Sequence, residues 1–367
     1  MTNKTNFPLN KEKLSNSYNF LVKLTNQIGI IQHTKYGVQD RKNGYSLDDN
    51  ARAIIVCLQW YKQTKSKKAL DLVATYLAWL FHAKTDEGFF YNFSSFDNQF
   101  KEVFSEDGFG RAFWSLGQAY QAKARNDITS TAKTLIDEIK GNLDTLISPR
   151  AIAYCILGLV SLAEAEKKNP EWSSYLEKLT RKLVNSYKKT ESKDWHWFEE
   201  IIAYSNHLLP LSLFEAYLIL EKKEFLEIAT KSLEFLEINS ALDGFPSPVG
   251  NHGWLKKGQE RAVFDQQSIE ASEAVLCFLS AYRVSKEIGY LEKALSWFNW
   301  YHGNNIKKLS LINKQTGGCF DSLMSQGVNE NQGAESIIAY LMAALALLDL
   351  KKNQEKTLLS QSLILSS

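Results

Sequence analysis

The side chains of this 367-residue chain that could do chemistry fall in short polar blocks, each just ahead of a long apolar segment. "SLDDNAR" holds Asp48, Asp49, Asn50 and Arg52, and "SEDGFGR" holds Glu106, Asp107 and Arg111. "WHWFEEIIAYSN" holds Trp195, Trp197, Glu199, Glu200 and Asn206. "FDQQSIE" supplies Asp265, Gln266, Gln267 and Glu270, and "NENQGAE" supplies Asn331, Gln332 and Glu335. Carboxylates, amides, arginines and indoles in one place suit a carbohydrate: aromatic faces stack on sugar rings, polar groups bond hydroxyls, and two acids act on a glycosidic bond.

The competing explanation is helix capping. Asp, Asn and Ser are favoured N-caps, and a carboxylate there gains ~0.3–1 kcal/mol from the helix dipole. Capping needs one residue per helix, however. It does not account for Asp48 beside Asp49, for Glu199 beside Glu200, or for Arg52 and Arg111 each one turn inside its helix.

A division of labour follows. Trp254 and Trp197 are expected to stack on sugar rings, with Trp195 close by, while Arg52, Asn206, Gln266 and Gln267 meet hydroxyls. Glu199 is the expected acid, with Glu200 as alternative, and Asp49 the expected base. Asp107 and Asp265 form a second pair, and Asp48, Glu270 and Glu335 orient substrate or water. Glu106 and Arg111 complete the lining. His196 and His252 read as loop-wall residues, which gives only a thin basis for a paired-histidine epimerase.

These blocks need elements that bring them together. Apolar residues all round mark six inner helices near 48–61, 107–122, 150–165, 210–220, 266–284 and 333–350. Amphipathic helices alternate with them, as in "SKKALDLVATYLAWLFHAK", and recur near 128–143, 171–188, 224–238 and 288–302. A short helix after Gln354 and another near 11–28 complete the outer layer. The order predicts an all-α (α/α)6 toroid, a single domain over 1–367 with residues 1–30 as a peripheral N-terminal helix. Outer-to-inner connections are long and rich in Gly and aromatics, whereas inner-to-outer turns such as "KQTKS" are short. One rim is therefore elaborate, and long structured loops in compact domains are usually functional.

Composition removes other classes. Lys plus Arg number 43 against 41 Asp plus Glu, a net of +2, so no bulk charge attracts nucleic acid or a membrane surface. No apolar run approaches the ~18 residues of a spanning helix, and no secretory signal is visible. The four cysteines are far apart and read as reduced core residues, which implies a cytoplasmic protein. No Cys/His cluster has metal-ligand spacing, so neither metal nor cofactor is expected.

As an ordered set, "GYSLDDNARA", "EDGFGRAFWSLG", "WHWFEEIIAYSNHLLP", "PVGNHGW", "FDQQSIEA" and "GGCFDSL…NENQGAES" resemble a poorly characterised bacterial family of the six-hairpin glycosidase-like group. Its members occur alone or joined to glycosyltransferase domains, often near genes for handling mannosides. The resemblance implies a toroid with sugar chemistry at the loop-rich rim. With the paired acids, the leading expectation is an inverting glycoside hydrolase on a short oligosaccharide, and the alternative a non-catalytic carbohydrate-binding domain with a glycosyltransferase partner. The fourth block departs from the family pattern at Ser205 and Leu208, where Asp and Arg are usual.

Overall fold

The computed structural model of the chain describes residues 9, 11–101 and 103–365, with side chains as far as 355 except at residue 13. Inner helices are α2 (Leu47–Thr64), α4 (Glu106–Ala122), α6 (Pro149–Ala165), α8 (Leu208–Leu220), α10 (Ser268–Ser285) and α12 (Ala334–Leu365). Each packs on the next and α12 returns to α2, so the ring is closed. Outside it lie α1 (Lys11–Leu24), α3 (Lys67–Ala83), α5 (Asn126–Ile139), α7 (Pro170–Thr190), α9 (Lys223–Asn239) and α11 (Ile288–Trp300), each against its own inner helix. This is the expected (α/α)6 toroid.

The layers follow from the sequence pattern. On α6 every residue from Arg150 to Ala163 is buried, whereas α5 buries one stripe, Ile128, Ala132, Leu135, Ile136 and Ile139. Fully burying one such side chain contributes about 1.5–3 kcal/mol, so an all-apolar helix is driven inside and a striped one covers it. Helices α4 and α6 approach most closely through glycine: a Cβ on Gly117 would stand 2.6 Å from the Gly158 carbonyl oxygen.

Three boundaries differ from expectation. Helix α10 starts at Ser268 because Gln266 and Gln267 pair as a strand with Leu323 and Ser322. Helix α8 starts two residues early, at Leu208. The separate helix expected after Gln354 does not form: no Gly or Pro interrupts residues 334–365, and α12 runs through. The sixth outer position belongs to α1 instead. Of the expected N-terminal helix, residues 1–8 and 10 lie outside the described residues.

Long loops join outer to inner helices at one rim and carry short antiparallel ladders, such as Ile201–Ile202 with Leu255–Lys256. The other rim has tight turns, with Lys65, Lys123, Glu221 and Lys286 as left-handed C-caps. A cavity of about 670 Å³ opens at this plain rim, lined by the second halves of the inner helices. Lys62 pairs there with Asp349 and Arg283 with Glu215, Glu164 accepts from the Gln121 amide, and Lys65 lies over the Tyr61 ring. Among the described residues, buried polar atoms without a partner are more numerous at the other end, though Gln59 Oε1 is one beside this cavity.

Candidate functional site at the loop-rich rim

Serines cap the first three inner helices: Ser46 accepts from the Asp49 N–H (3.1 Å), Ser105 from Gly108 and Ser148 from Ala151. Asp48 and Asp107 therefore stand inside their first turns with their carboxylates turned to other partners, whereas Asp49 also accepts from the hydroxyl of its Ser46 cap (2.6 Å). Capping does not account for Asp48 or Asp107, while Asp49 and Ser46 bond each other reciprocally at the start of α2.

These partners form a chain across the mouth. Arg111 on α4 donates to Asp48 on α2 (2.9 Å), and Arg52 on α2 donates to Glu335 on α12 (2.8 Å). Asp107 accepts from Ser148 (2.7 Å) and from the Tyr204 hydroxyl (2.8 Å). Arg150 donates to Glu199 (2.6 Å) and to the Tyr204 carbonyl, and lies over the Tyr204 ring at 4.4 Å. Glu270 on α10 accepts from the backbone N–H groups of Ser205 (2.5 Å) and Asn206 (3.3 Å) and from the Asn206 side chain (3.1 Å). Ser205 holds φ at +46°, a left-handed conformation that costs an L-residue energy. Tyr154 links the ring's centre, donating to Glu273 (2.9 Å) beneath the Arg111 guanidinium at 4.7 Å.

Burial retunes three carboxyls. Asp49 is pushed up to about 7, first by loss of solvent and then by repulsion from Glu335, against the pull of Arg52 and Ser46. Glu273 is pushed up to about 8 by burial and by Glu270 one turn before it. Glu270 is raised as well, its three N–H donors only partly offsetting burial. Several buried polar atoms in this ring lack partners: Asp48 Oδ1, Arg52 Nη1, Arg111 Nε, Arg150 Nη2, Asn206 Oδ1 and Glu273 Oε2. Such atoms are scarce in folded proteins, so these six call for partners that the protein itself does not supply.

Other expected site residues lie elsewhere. Trp197 is fully buried and Trp195 nearly so, the latter packed edge-on against Phe235 of the outer layer with its indole N–H on the Glu199 carbonyl. Both are core, not sugar platforms, because the loop folds back onto α7 and α9. Trp254 is half-buried with φ +58°, its indole bonded to Asn251. Glu200 points outward, its side chain 75% exposed near Lys257. Glu106 accepts from the backbone of Ile147 and Ser148 and so holds a loop. Gln266 is buried against Ser247, Val263 and Trp300, a structural role in place of hydroxyl binding. Gln267 contributes its backbone to the strand pair. Asp265 stays outside the ring, with Oδ1 buried and unpaired. His207 sits between Phe278 and Trp297, pushed down to about 3 by burial, and His196 packs on Phe235.

The sequence reading overlooked Arg150, Tyr154, Tyr204 and Glu273. The arginines carried a signal: a cation in a helix's first turns opposes the dipole, so Arg150 just after the Ser148 cap calls for a carboxylate partner. Glu273, three residues after Glu270 on an otherwise apolar helix, carried another.

No protein-family model and no curated protein sequence matches the chain. Solved structures do. A sugar epimerase from a ruminal bacterium matches with a TM-score of 0.73 at 16% identity, over 92% of this chain and 97% of that one. A GH76 α-mannanase from Bacteroides thetaiotaomicron matches with a TM-score of 0.66 at 13% identity, over 94% and 96%. An α-1,6-mannanase of Salegentibacter, inactivated by replacing two consecutive aspartates with alanine and bound to α-1,6-mannotetrose, matches with a TM-score of 0.60 at 11% identity, over 91% and 97%. The helix order, the closed double ring and these likenesses agree: the chain has the six-hairpin glycosidase-like (α/α)6 toroid fold.

Proposed function

We propose that the chain is a carbohydrate-active enzyme that hydrolyses a glycosidic bond of a short oligosaccharide, with mannosides the first substrates to try. The observation that carries this is the ring of carboxylates and guanidiniums joining the first turns of the inner helices, with the exposed Tyr204 among them. Asp49 and Glu199 remain the acid–base pair, with their roles exchanged. Asp49, held up to about 7, keeps the proton a general acid must deliver, whereas Glu199, bound to Arg150, is a carboxylate suited to draw a proton from water. In an inverting cleavage, Asp49 protonates the leaving oxygen as the C–O bond breaks. Water attacks the anomeric carbon from the opposite face and gives its proton to Glu199. The α-1,6-mannanase above also depends on two consecutive aspartates, as Asp48 and Asp49 are here.

A second reading, epimerisation at the carbon beside a sugar carbonyl, is favoured by the likeness to the ruminal sugar epimerase. The same carboxyls would then move a proton on and off carbon. Incubation with oligosaccharides in D₂O separates the two: hydrolysis releases shorter sugars with no carbon-bound deuterium, and epimerisation installs deuterium without changing chain length. Asp49→Asn and Glu199→Gln should each lower turnover by about 10²–10⁴ with the fold intact. Binding without either reaction would support the non-catalytic module serving a glycosyltransferase. Four buried free thiols fit a reducing compartment, and no helix among the described residues is long and apolar enough to cross a membrane; we place the protein in the cytoplasm.

A further inference from the structure

We infer that the plain rim seats on an anionic membrane surface, with the end of α12 entering the bilayer interface. The near-zero total charge, which argued against a membrane, hides an uneven distribution. At each of the five connections from an inner to an outer helix stands an exposed lysine with no carboxylate partner among the described residues: Lys68, Lys123, Lys168, Lys223 and Lys286. Lys67 and Lys167 double two of them, against Glu221 and Glu287 as unpaired carboxylates on the same connections.

Helix energetics explain only part of this. Lys123 and Lys286 are C-caps, where the dipole favours a cation. Lys67, Lys68 and Lys223 lie in the first turns of α3 and α9, where a cation opposes the dipole, and α3 has no acid there to offset them. An anionic leaflet gives these charges a partner. Its potential attracts clustered lysines but fades within a Debye length of about 8 Å, so the lysines must share one face, as these do.

Helix α12 supplies a second signal. The other inner helices stop at Thr64, Ala122, Ala165, Leu220 and Ser285, and Gln354 still reaches Tyr282 near the end of α10. The α12 backbone then stays helical to Leu365, about 16 Å further at 1.5 Å per residue. Its sequence there, "KTLLSQSLIL", carries Leu358, Leu359, Leu363, Ile364 and Leu365 with a single charge, Lys356. Stable attachment combines a basic patch with an apolar insert, and both are at this rim. The insert is far shorter than the ~20 apolar residues of a spanning helix, so it enters the interface and stops. A nucleic acid would meet the lysines but leave the aliphatic residues in water. Seated this way, the chain turns its loop-rich rim away from the membrane.

The test is co-sedimentation of the full-length chain with vesicles of phosphatidylcholine alone and of phosphatidylcholine with phosphatidylserine, at low and at molar salt. Binding should be at least tenfold tighter to the phosphatidylserine vesicles and should fall at least tenfold in molar salt. Reversing Lys67→Glu, Lys68→Glu, Lys167→Glu and Lys168→Glu together should weaken binding at least tenfold with the melting temperature kept, because none of the four has an ion-pair partner among the described residues. Leu359→Ser with Leu363→Ser should weaken it about tenfold and leave the salt dependence in place. The inference is overturned if the two vesicle types bind alike, if neither binds, or if either variant binds like wild type. Tighter binding to polyuridylate than to the vesicles, unaffected by the leucine changes, would mark a nucleic-acid face and overturn it as well.

Discussion

Asp49 separates what a single residue does for the fold from what it does for the reaction. An unfolded aspartate titrates near 3.9, whereas the folded Asp49 is held up to about 7. Between those values the folded chain keeps a proton that the unfolded chain has released, so stability falls as pH rises and the loss is complete above about pH 7. Asp49→Asn has no charge to bury. Its melting temperature relative to wild type should therefore climb from pH 5 to pH 8 while turnover is lost, and wild-type turnover should itself decline above about pH 7 as the acid ionises. A difference in melting temperature that does not change with pH would mean the carboxyl is not burdened by burial. The sequence pointed to Asp49 through its pairing with Asp48, but the direction of its titration was hidden. A place in a helix's first turn argues for the ionised form, and only the structure shows that burial outweighs the dipole. Trp197 failed for a related reason: an indole in a polar loop looks like a platform until the loop is seen folded onto α7 and α9.

At the level of elements, the inner helices were readable because burial on all sides leaves an unbroken apolar run. Their polar first turns were readable because few other places in the chain join carboxylates and arginines so closely. What periodicity could not supply was contact between helices, and α4 and α6 show its importance. Gly117 and Gly158 let the two backbones touch, which sets the reach of Ser148 to Asp107 and of Tyr154 beneath Arg111. Helix propensity alone favours Ala over Gly by about 1 kcal/mol. A methyl at Gly117, however, meets backbone at 2.6 Å and 3.0 Å, and overpacking of this kind typically costs about 1–3 kcal/mol. Backbone cannot swing aside as a side chain does, so the steric effect should win. Gly117→Ala should lose stability in denaturant titration and lose turnover with it. A gain in stability would show that the helices are free to separate.

Across the whole molecule the two rims are chemically unlike, and closure of the ring is tied to one of them. Asp321 accepts from the Gly333 N–H (2.6 Å), the Ser336 hydroxyl (2.8 Å) and the Asn331 amide (2.6 Å), which fixes the start of α12. Thr34 bonds Asn331 and the Gln332 carbonyl, and Gln32 accepts from Ala334, so the first loop of the chain is sewn to the last inner helix. Glu335 follows at once and holds Arg52. Asp321→Ala should therefore act twice. Leaving those donors unpaired should cost about 1–3 kcal/mol in stability. Releasing the first turn of α12 should also let Glu335 leave Arg52 and reduce kcat/KM on whatever sugar proves to be the substrate. Lys62→Ala at the plain rim removes an exposed pair with Asp349 and should change neither quantity much, since such pairs contribute about 0–1 kcal/mol. Measuring both variants for melting temperature and turnover compares the rims directly. If Asp321→Ala loses stability but keeps full turnover, the last inner helix is scaffold only, and the reaction belongs to α2, α4, α6 and α10.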